Sequence, residues 1–592
     1  MARMNGVLFA DLPAICPEKG GLSPLRRLGF WHTVPYLTKE TAGVMLSAQN
    51  QSRPGPIELR PSLTGFCRVY VGVAAIVGCW QNNNVLLRLS GDAGYTLFSP
   101  ASDIVGSGVE EVFWKCADMT DQSVFLKKPD GVPCDCILAW LRFEPMSEAE
   151  VEAFRVDAPR RCVYAANDMH NMAFLYAAKT PEDWLMAVMP YEQSDVEWLS
   201  VENVRVNDGA LPVPAEEYAF ARDGDANVHE LFRTAYTDDM LRALVRQGHA
   251  MGIKMCVSQR MGAWCMTFPY ESVNTFAAAH PELRCIDRDG TPVDALSYSY
   301  AAVQDYIIGM LVAHAANGFD AVELMFHRGV PYVLFEEPFV RRFEETYGVD
   351  PRVLPWDDGR IMEARCAVVT GFVARLRRAL DGVGHARVGI HIRTGHTVYD
   401  SRMIGVDPFA MAKAGLITAV ISYPAIWREL PEVDVWQEGE DHLIDPAKYG
   451  RVADEMDTSV IMRREGFDYV GAFPDSRGVM RGGGSEAERV AEWAKLEAEG
   501  VRVYFDIMPR VMSAMEYRRR LMEIFEAGGR GVSLWDTHQR AAMRRTWNLL
   551  RRAGHRDEIA AFSRGEDGCS TRHRFLELGG LSERRVRPSW GS

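Results

Sequence analysis

No run of about 18 consecutive apolar residues occurs in the 592-residue chain, so no membrane-spanning helix is expected. The first twenty residues, MARMNGVLFADLPAICPEKG, lack an apolar stretch of secretion-signal length, because proline and charge interrupt them. A soluble, cytoplasmic protein is the expectation. Cysteine is sparse, 12 in all, and in that compartment the thiols are expected to be reduced. Cys134 and Cys136 form C-x-C without a second pair at zinc-ribbon spacing, so no metal site is expected from them. Basic excess is also missing. Against 80 Asp and Glu stand 66 Lys and Arg, a formal net charge of -14, which disfavours a nucleic-acid partner. No glycine-rich strand–turn–helix fingerprint follows the first strand of the alternating region, which weighs against a doubly wound dinucleotide fold and leaves no cofactor to expect.

What is present is the composition of a folded protein, 47% hydrophobic and 25% charged, which excludes disorder on a large scale. Its character changes near residue 150. Before that point short apolar runs alternate with turn signals: GFCRVYVGVAAI, NVLLRLSG, YTLFSP, EEVFWKCAD, SVFLKKPDG and CDCILAWLRFEP. Their alternation and spacing predict a jelly-roll-like β-sandwich over residues 1–150. Ser147-Glu-Ala-Glu150 matches a capping box and starts a linking helix.

From residue 162 to about 540, strand and helix patterns alternate. CVYAAND, VEWLSVEN, IKMCVSQR, DAVELMF, ARVGIHIR, LITAVISYP, VRVYFDIM and GRGVSLWD read as eight strands. Amphipathic segments between them, such as Asp239 to His249 and Val303 to His314, read as helices. Eight nearly continuous apolar strands alternating with helices predict a closed (β/α)8 barrel over residues 151–540. Residues 425–484 break the repeat and read as an insertion beside the mouth. Residues 541–592 read as a C-terminal helix, a candidate strand HRFLELGG and a basic tail.

In such barrels the chemistry sits at the C-terminal ends of the strands. The first strand delivers Asn167, Asp168 and His170, the second Glu202 and Asn203, and the third Gln259 and Arg260. The fourth delivers Glu323, His327 and Arg328, and the fifth His391 and Arg393. Tyr423, Asp506, Trp535, Asp536 and His538 follow on the last three. Polar groups after almost every strand suit a polyhydroxylated ligand, whose apolar face can stack on Trp or Tyr. Glycoside cleavage needs two carboxyl groups flanking the bond. Glu323 is the first candidate, because a charge inside an apolar central strand is seldom tolerated without a purpose or a partner. Asp506, on a strand facing the fourth across part of the mouth, is the second, with Asp536 and Asp168 competing. Plainer readings stand beside these: Asp506 paired with Arg510, Asp536 as a helix cap, His327 and Arg328 as a salt-bridged loop. Asp168 and His170 make only half of a metal site.

The run HPELRCIDRDGTPVDALSYSYAAVQDYIIGMLVAHAANGFDAVELMFHRGVPYVLFEEPFVRRFEETYGVDPR resembles the family-ten-like glycosyl hydrolases. The resemblance spans roughly residues 160–555 and includes VRVYFDIMPRVMS and GVSLWDTH; EEVFWKCADMT is similar to segments of multi-domain members. It implies a TIM barrel, often with an attached β-sandwich, and a hydrolase of carbohydrate. The family's fourth strand reads like G-(I/V)-(D/E)-L-D-F-M-R, and here it is Ala321-Val-Glu-Leu-Met-Phe-His-Arg328. Glu323 matches the first acid; Met325 replaces the second. A glycoside hydrolase is therefore the leading expectation, with Glu323, Asp506 and Asp536 catalytic. The alternatives are a non-catalytic carbohydrate-binding barrel, which Met325 favours, and a sugar-acid lyase or isomerase in which His391, Arg393 and Arg260 hold a carboxylate. Self-association into a homo-oligomer is common among such enzymes.

Overall fold

The computed structural model describes residues 6–38, 40–75, 83–99, 108–130, 135–169, 176, 178–202, 237–262, 264–266, 272–326, 331–355, 358–423, 485–507, 514–535, 537, 541, 544–562 and 572–575. Eight parallel strands close into a barrel: β1 (Val163–Asn167), β2 (Val196–Glu202), β3 (Lys254–Arg260), β4 (Ala321–Met325), β5 (Gly389–Thr394), β6 (Ala419–Ser422), β7 (Arg502–Asp506) and β8 (Val532–Leu534). β1 pairs with both β2 and β8, which closes the ring. The expected (β/α)8 barrel is therefore present, strand for strand.

Helices return the chain between strands, and their sequences explain where they begin and what they bury. Asp238–Ala250 starts at Thr237, whose side chain accepts from the Met240 amide. Its buried residues Met240, Leu241, Leu244, Val245 and Gly248 recur at helical spacing and form the stripe against the barrel. Ala301–Ala315 and Gly359–Gly382 precede β4 and β5, the first a little longer than the expected Val303 to His314. Ser485 closes a complete capping box before Glu486–Ala494, and Ser147 does the same for Glu148–Val156. The expected insertion at 425–484 lies outside the described residues, as does Ser513, where the run Ser513-Ala-Met-Glu516 reads as a further capping box.

Several elements were not read from the sequence, among them strands Trp31–Leu37 and Ala42–Ala48 and two segments beside β4. Arg284–Ile286 pairs antiparallel with Pro292–Leu296 as a hairpin between β3 and β4. Helix Glu337–Tyr347 follows β4, with Pro338 in its first turn, where a missing amide donor costs nothing.

The strands before residue 150 form two sheets. One contains Trp31–Leu37, Ala42–Ala48, Phe66–Ala75, Gly108–Asp118 and Cys136–Pro145; the other contains Ile57–Leu59, Val85–Leu89, Thr96–Phe98 and Val124–Lys127. Leu46, Val69, Val71 and Leu138 of the first share an apolar cluster with Leu59, Val85, Leu87 and Val124 of the second. Strand Arg572–Phe575 returns from the C-terminal region to pair with Gly108–Asp118. Among the described residues no helix is long and apolar enough to cross a membrane.

Candidate active site at the barrel mouth

Residues paired across a parallel ladder face the same side of the sheet. Ser258, Glu323 and His391 therefore form one row on β3, β4 and β5, and Arg260, Met325 and Arg393 form the next row toward the mouth. Alternation points both rows into the barrel.

Glu323 lies wholly inside, with no exposed surface. Its carboxylate accepts from three strands at once. Tyr164 Oη of β1 donates at 3.0 Å and Ser200 Oγ of β2 at 2.5 Å, both to Oε2. Arg393 Nε of β5 donates to Oε1 at 2.6 Å. Tyr164 Oη also lies 3.1 Å from His391 Nδ1. Burial pushes the His391 imidazole down to about 3, helped by the Lys254 charge below it, so the ring is neutral at ordinary pH. Burial likewise holds the Tyr164 phenol well above its usual range, so it remains a donor.

Arg393 links Glu323 to Asp506 of β7. One terminal nitrogen donates to Asp506 Oδ2 at 3.0 Å and to Ser533 Oγ of β8 at 3.2 Å, and Ser533 donates to the same Asp506 oxygen at 2.9 Å. Burial opposes the Arg393 charge, yet Glu323 and Asp506 together outweigh it and hold the guanidinium above its ordinary value. Three rings enclose it: Trp535 at 5.0 Å, Tyr164 at 5.6 Å and Tyr423 at 6.0 Å from its central carbon. Ala166, Met325, Tyr423 and Trp535 form one buried apolar cluster.

A second charged group stands at the ends of β1, β2 and β3. A terminal nitrogen of Arg260 lies 3.1 Å from Glu202 Oε2 and 3.4 Å from Asp168 Oδ2, and its Nε also faces Glu202. The Asp168 and Arg260 side chains keep 18% and 17% of their surface exposed, unlike the enclosed Glu323 and Asp506.

The sequence candidates thus divide. Glu323, His391, Arg393 and Asp506 meet in one network, with Tyr423 and Trp535 against it. Asp168 and Arg260 meet in another with Glu202. Asn167 faces neither: its amide donates to the Ala187 carbonyl at 2.7 Å and accepts from Tyr191 Oη at 2.5 Å, outside the barrel bore. Gln259 is fully buried, and alternation sets it on the opposite face from Arg260. His170, His327, Arg328, Asp536 and His538 lie outside the described residues. Tyr164, Ser200 and Ser533 were not singled out from sequence. Their signal was period-two spacing, since each occupies an inward position on an apolar strand.

One histidine–carboxylate group has ligand-like spacing among the described residues: Asp157, His555 and Glu558. Arg552 already lies in it, 2.8 Å from Asp157 and 2.5 Å from Glu558, so the cation of that cluster is an arginine. His555 Nδ1 lies 2.7 Å from Asp195, which ties the C-terminal helices to the start of the barrel.

No family model matches this sequence, and no curated protein matches it either. Solved structures do match at low identity. The glycoside hydrolase domain of PgaB (BpsB) from Bordetella bronchiseptica is 12% identical, covers 65% of this chain and 98% of its own, and has a TM-score of 0.39. An α-galactosidase from Thermus thermophilus, TtGalA, is 10% identical over 89% of this chain and 95% of its own, with a TM-score of 0.33. A GH27 β-L-arabinopyranosidase from Geobacillus stearothermophilus is 10% identical over 68% and 78%, with a TM-score of 0.33.

Proposed function

We propose that this protein hydrolyses a glycosidic bond at the C-terminal face of its barrel, with Asp168 and Glu202 as the carboxyl pair at the mouth. The observation that carries this reading is the Asp168–Arg260–Glu202 group, two carboxylates on neighbouring strand ends reaching one arginine nitrogen at 3.4 and 3.1 Å. Asp168, the more exposed, is assigned proton donation to the leaving oxygen. Glu202, ion-paired with Arg260, is assigned the ionised role of nucleophile or base. Two carboxyl groups sharing one nitrogen are close together.

Glu323 and Asp506, the acids first expected to do the chemistry, are assigned a supporting role, because both share the fully enclosed Arg393, whereas Glu202, itself 1% exposed, shares the partly exposed Arg260 with the partly exposed Asp168. Their joint negative charge under the mouth favours a developing oxocarbenium ion above it. The sheets of residues 7–145 are assigned a bracing role: Lys115 pairs with Glu192 at 2.9 Å, and Arg551 donates to the carbonyls of Trp114 and Gln193.

A second reading, carbohydrate binding without cleavage, draws support from Met325, which occupies the inward position above Glu323 where the resembled family carries an acid. A sugar-acid lyase finds less support, since Arg393 commits Nε and one terminal nitrogen to Glu323 and Asp506, and His391 Nδ1 faces Tyr164. A panel of aryl glycosides and oligosaccharides, assayed for reducing ends, tests the proposal. Cleavage that disappears in Glu202→Gln and Asp168→Asn supports it. Binding of a glycan by calorimetry with no cleavage anywhere in the panel selects the second reading.

A further inference from the structure

Arg365 lies in the second turn of helix Gly359–Gly382 and is 7% exposed. Removing a charge from water is costly, so a buried guanidinium normally meets acceptor oxygens. Even partly exposed arginines nearby in the chain are paired. Arg360 pairs with Asp358 at 2.8 Å, Arg352 with Asp350 at 2.7 Å, and Arg402 with Asp407 at 3.2 Å. Arg365 makes no hydrogen bond or ion pair with any described residue, and its Nε is enclosed without an acceptor.

The carboxylate that bears on its charge is Glu336, whose oxygens are already committed. They accept from Ser299 Oγ at 2.8 Å, from the Leu334 amide at 3.1 Å and from Ser297 Oγ. Burial pushes the Glu336 carboxyl up and the Arg365 guanidinium down to about 10. A second arginine shares the surroundings. Arg288 and Arg365 both lie over the Phe335 ring, with central carbons 4.8 and 5.3 Å from its centroid. Arg288 is held there by the carbonyls of Arg352 at 2.7 Å and Leu354 at 2.5 Å. Two guanidinium groups on one ring repel each other, and the Arg288 charge works against that of Arg365.

We infer that Arg365, with Arg288 on the same Phe335 ring, forms a binding site for a small oxyanion: the carboxylate of a sugar acid, or a phosphate. A planar guanidinium presents forked donors that match such a group. The site is made by segments that follow the C-terminal ends of β3, β4 and β5: the hairpin carrying Arg288, the loop carrying Phe335, and Gly405. Gly405 has a φ of +86°, and a Cβ there would lie 3.4 Å from the Arg365 Cβ. These segments all leave the barrel on the side of the mouth. The inference stands whether or not the mouth cleaves a glycoside.

The test is thermal unfolding of the full chain in sodium phosphate, sodium glucuronate and sodium chloride at matched ionic strength. The expected result is a saturable rise in Tm with phosphate, glucuronate or both, lost in Arg365→Gln and reduced in Arg288→Gln. A response to glucuronate alone identifies a sugar carboxylate, and a response to phosphate alone identifies a phosphate group. In chloride, Arg365→Met is expected to melt no lower than the native chain, because it removes an uncompensated charge. Identical melting of the native chain in all three salts, or an undiminished response in Arg365→Gln, overturns the inference. Should Arg365→Gln fail to fold, Arg288→Gln alone decides: an undiminished response there overturns it.

Discussion

Arg393 Nε donates to Glu323 Oε1 at 2.6 Å with both side chains closed to solvent. The same guanidinium reaches Asp506, so one cation holds two acids from β4 and β7 inside the bore. Removing a buried partner leaves the remaining charge uncompensated, which is costlier than the pair is favourable. Arg393→Met is expected to destabilise the barrel by about 3–5 kcal/mol. Glu323→Gln in the same background should recover part of that loss, measured by Tm and urea midpoint in a double-mutant cycle. Additive effects in that cycle would show that the two side chains do not interact.

His391 makes stability depend on pH. Its folded value of about 3 lies below the usual imidazole value, because burial disfavours the cation. The unfolded chain takes up this proton below about pH 6.5, while the native chain refuses it until about pH 3. The stabilisation is complete above about pH 6.5 and is lost as pH falls toward about 3, by up to about 1.4 kcal/mol per unit. Unfolding of His391→Gln and the native chain between pH 7.5 and 4.5, on the order of one-unit steps, should show a shallower slope in the variant. Equal slopes would place the titration elsewhere.

At the mouth, Glu202→Gln and Asp168→Asn should each lower turnover about 10²–10⁴-fold, as expected when a general acid or base is removed. Arg260→Gln should weaken activity as well, by releasing both carboxylates from their shared nitrogen. Circular dichroism should remain native in the two carboxamide variants, since they preserve shape. Full turnover in Asp168→Asn would remove it from the mechanism.

Gly554 is required for packing. A Cβ there would lie 2.0 Å from the Arg160 carbonyl oxygen, and backbone cannot yield as a flexible side chain can. The Gly554 amide also donates to Asp195 at 2.9 Å. Gly554→Ala is expected to cost about 1–3 kcal/mol, typical of overpacking. A Tm equal to that of the native chain would show that the Arg160 segment shifts freely.

The barrel was legible because its signals are local. Eight apolar strands, their helical stripes and the caps at Ser147, Thr180 and Ser485 each depend on neighbours within a few residues. Helix Glu337–Tyr347 and the hairpin at Arg284 were not legible. Pro338 resembles a breaker until its first-turn position is known, and a three-residue strand such as Arg284–Ile286 carries too little alternation to notice.

By itself the sequence determined the strand order and which polar residues lie on or after each strand, since both follow from the order of side chains. It set Glu323 on β4 and Asp506 on β7, across part of the mouth, and left open which face of its strand Glu323 takes. Only the tertiary structure decided what they do there. Ring closure brings β1, β2, β5, β7 and β8 around Glu323, so Tyr164, Ser200 and Arg393 surround its carboxylate from residues far apart in the chain. The same closure leaves Asp168 and Arg260 partly exposed one level higher, beside Glu202. Depth along the barrel axis depends on register between strands, and register is set by packing across the whole ring rather than by any segment alone.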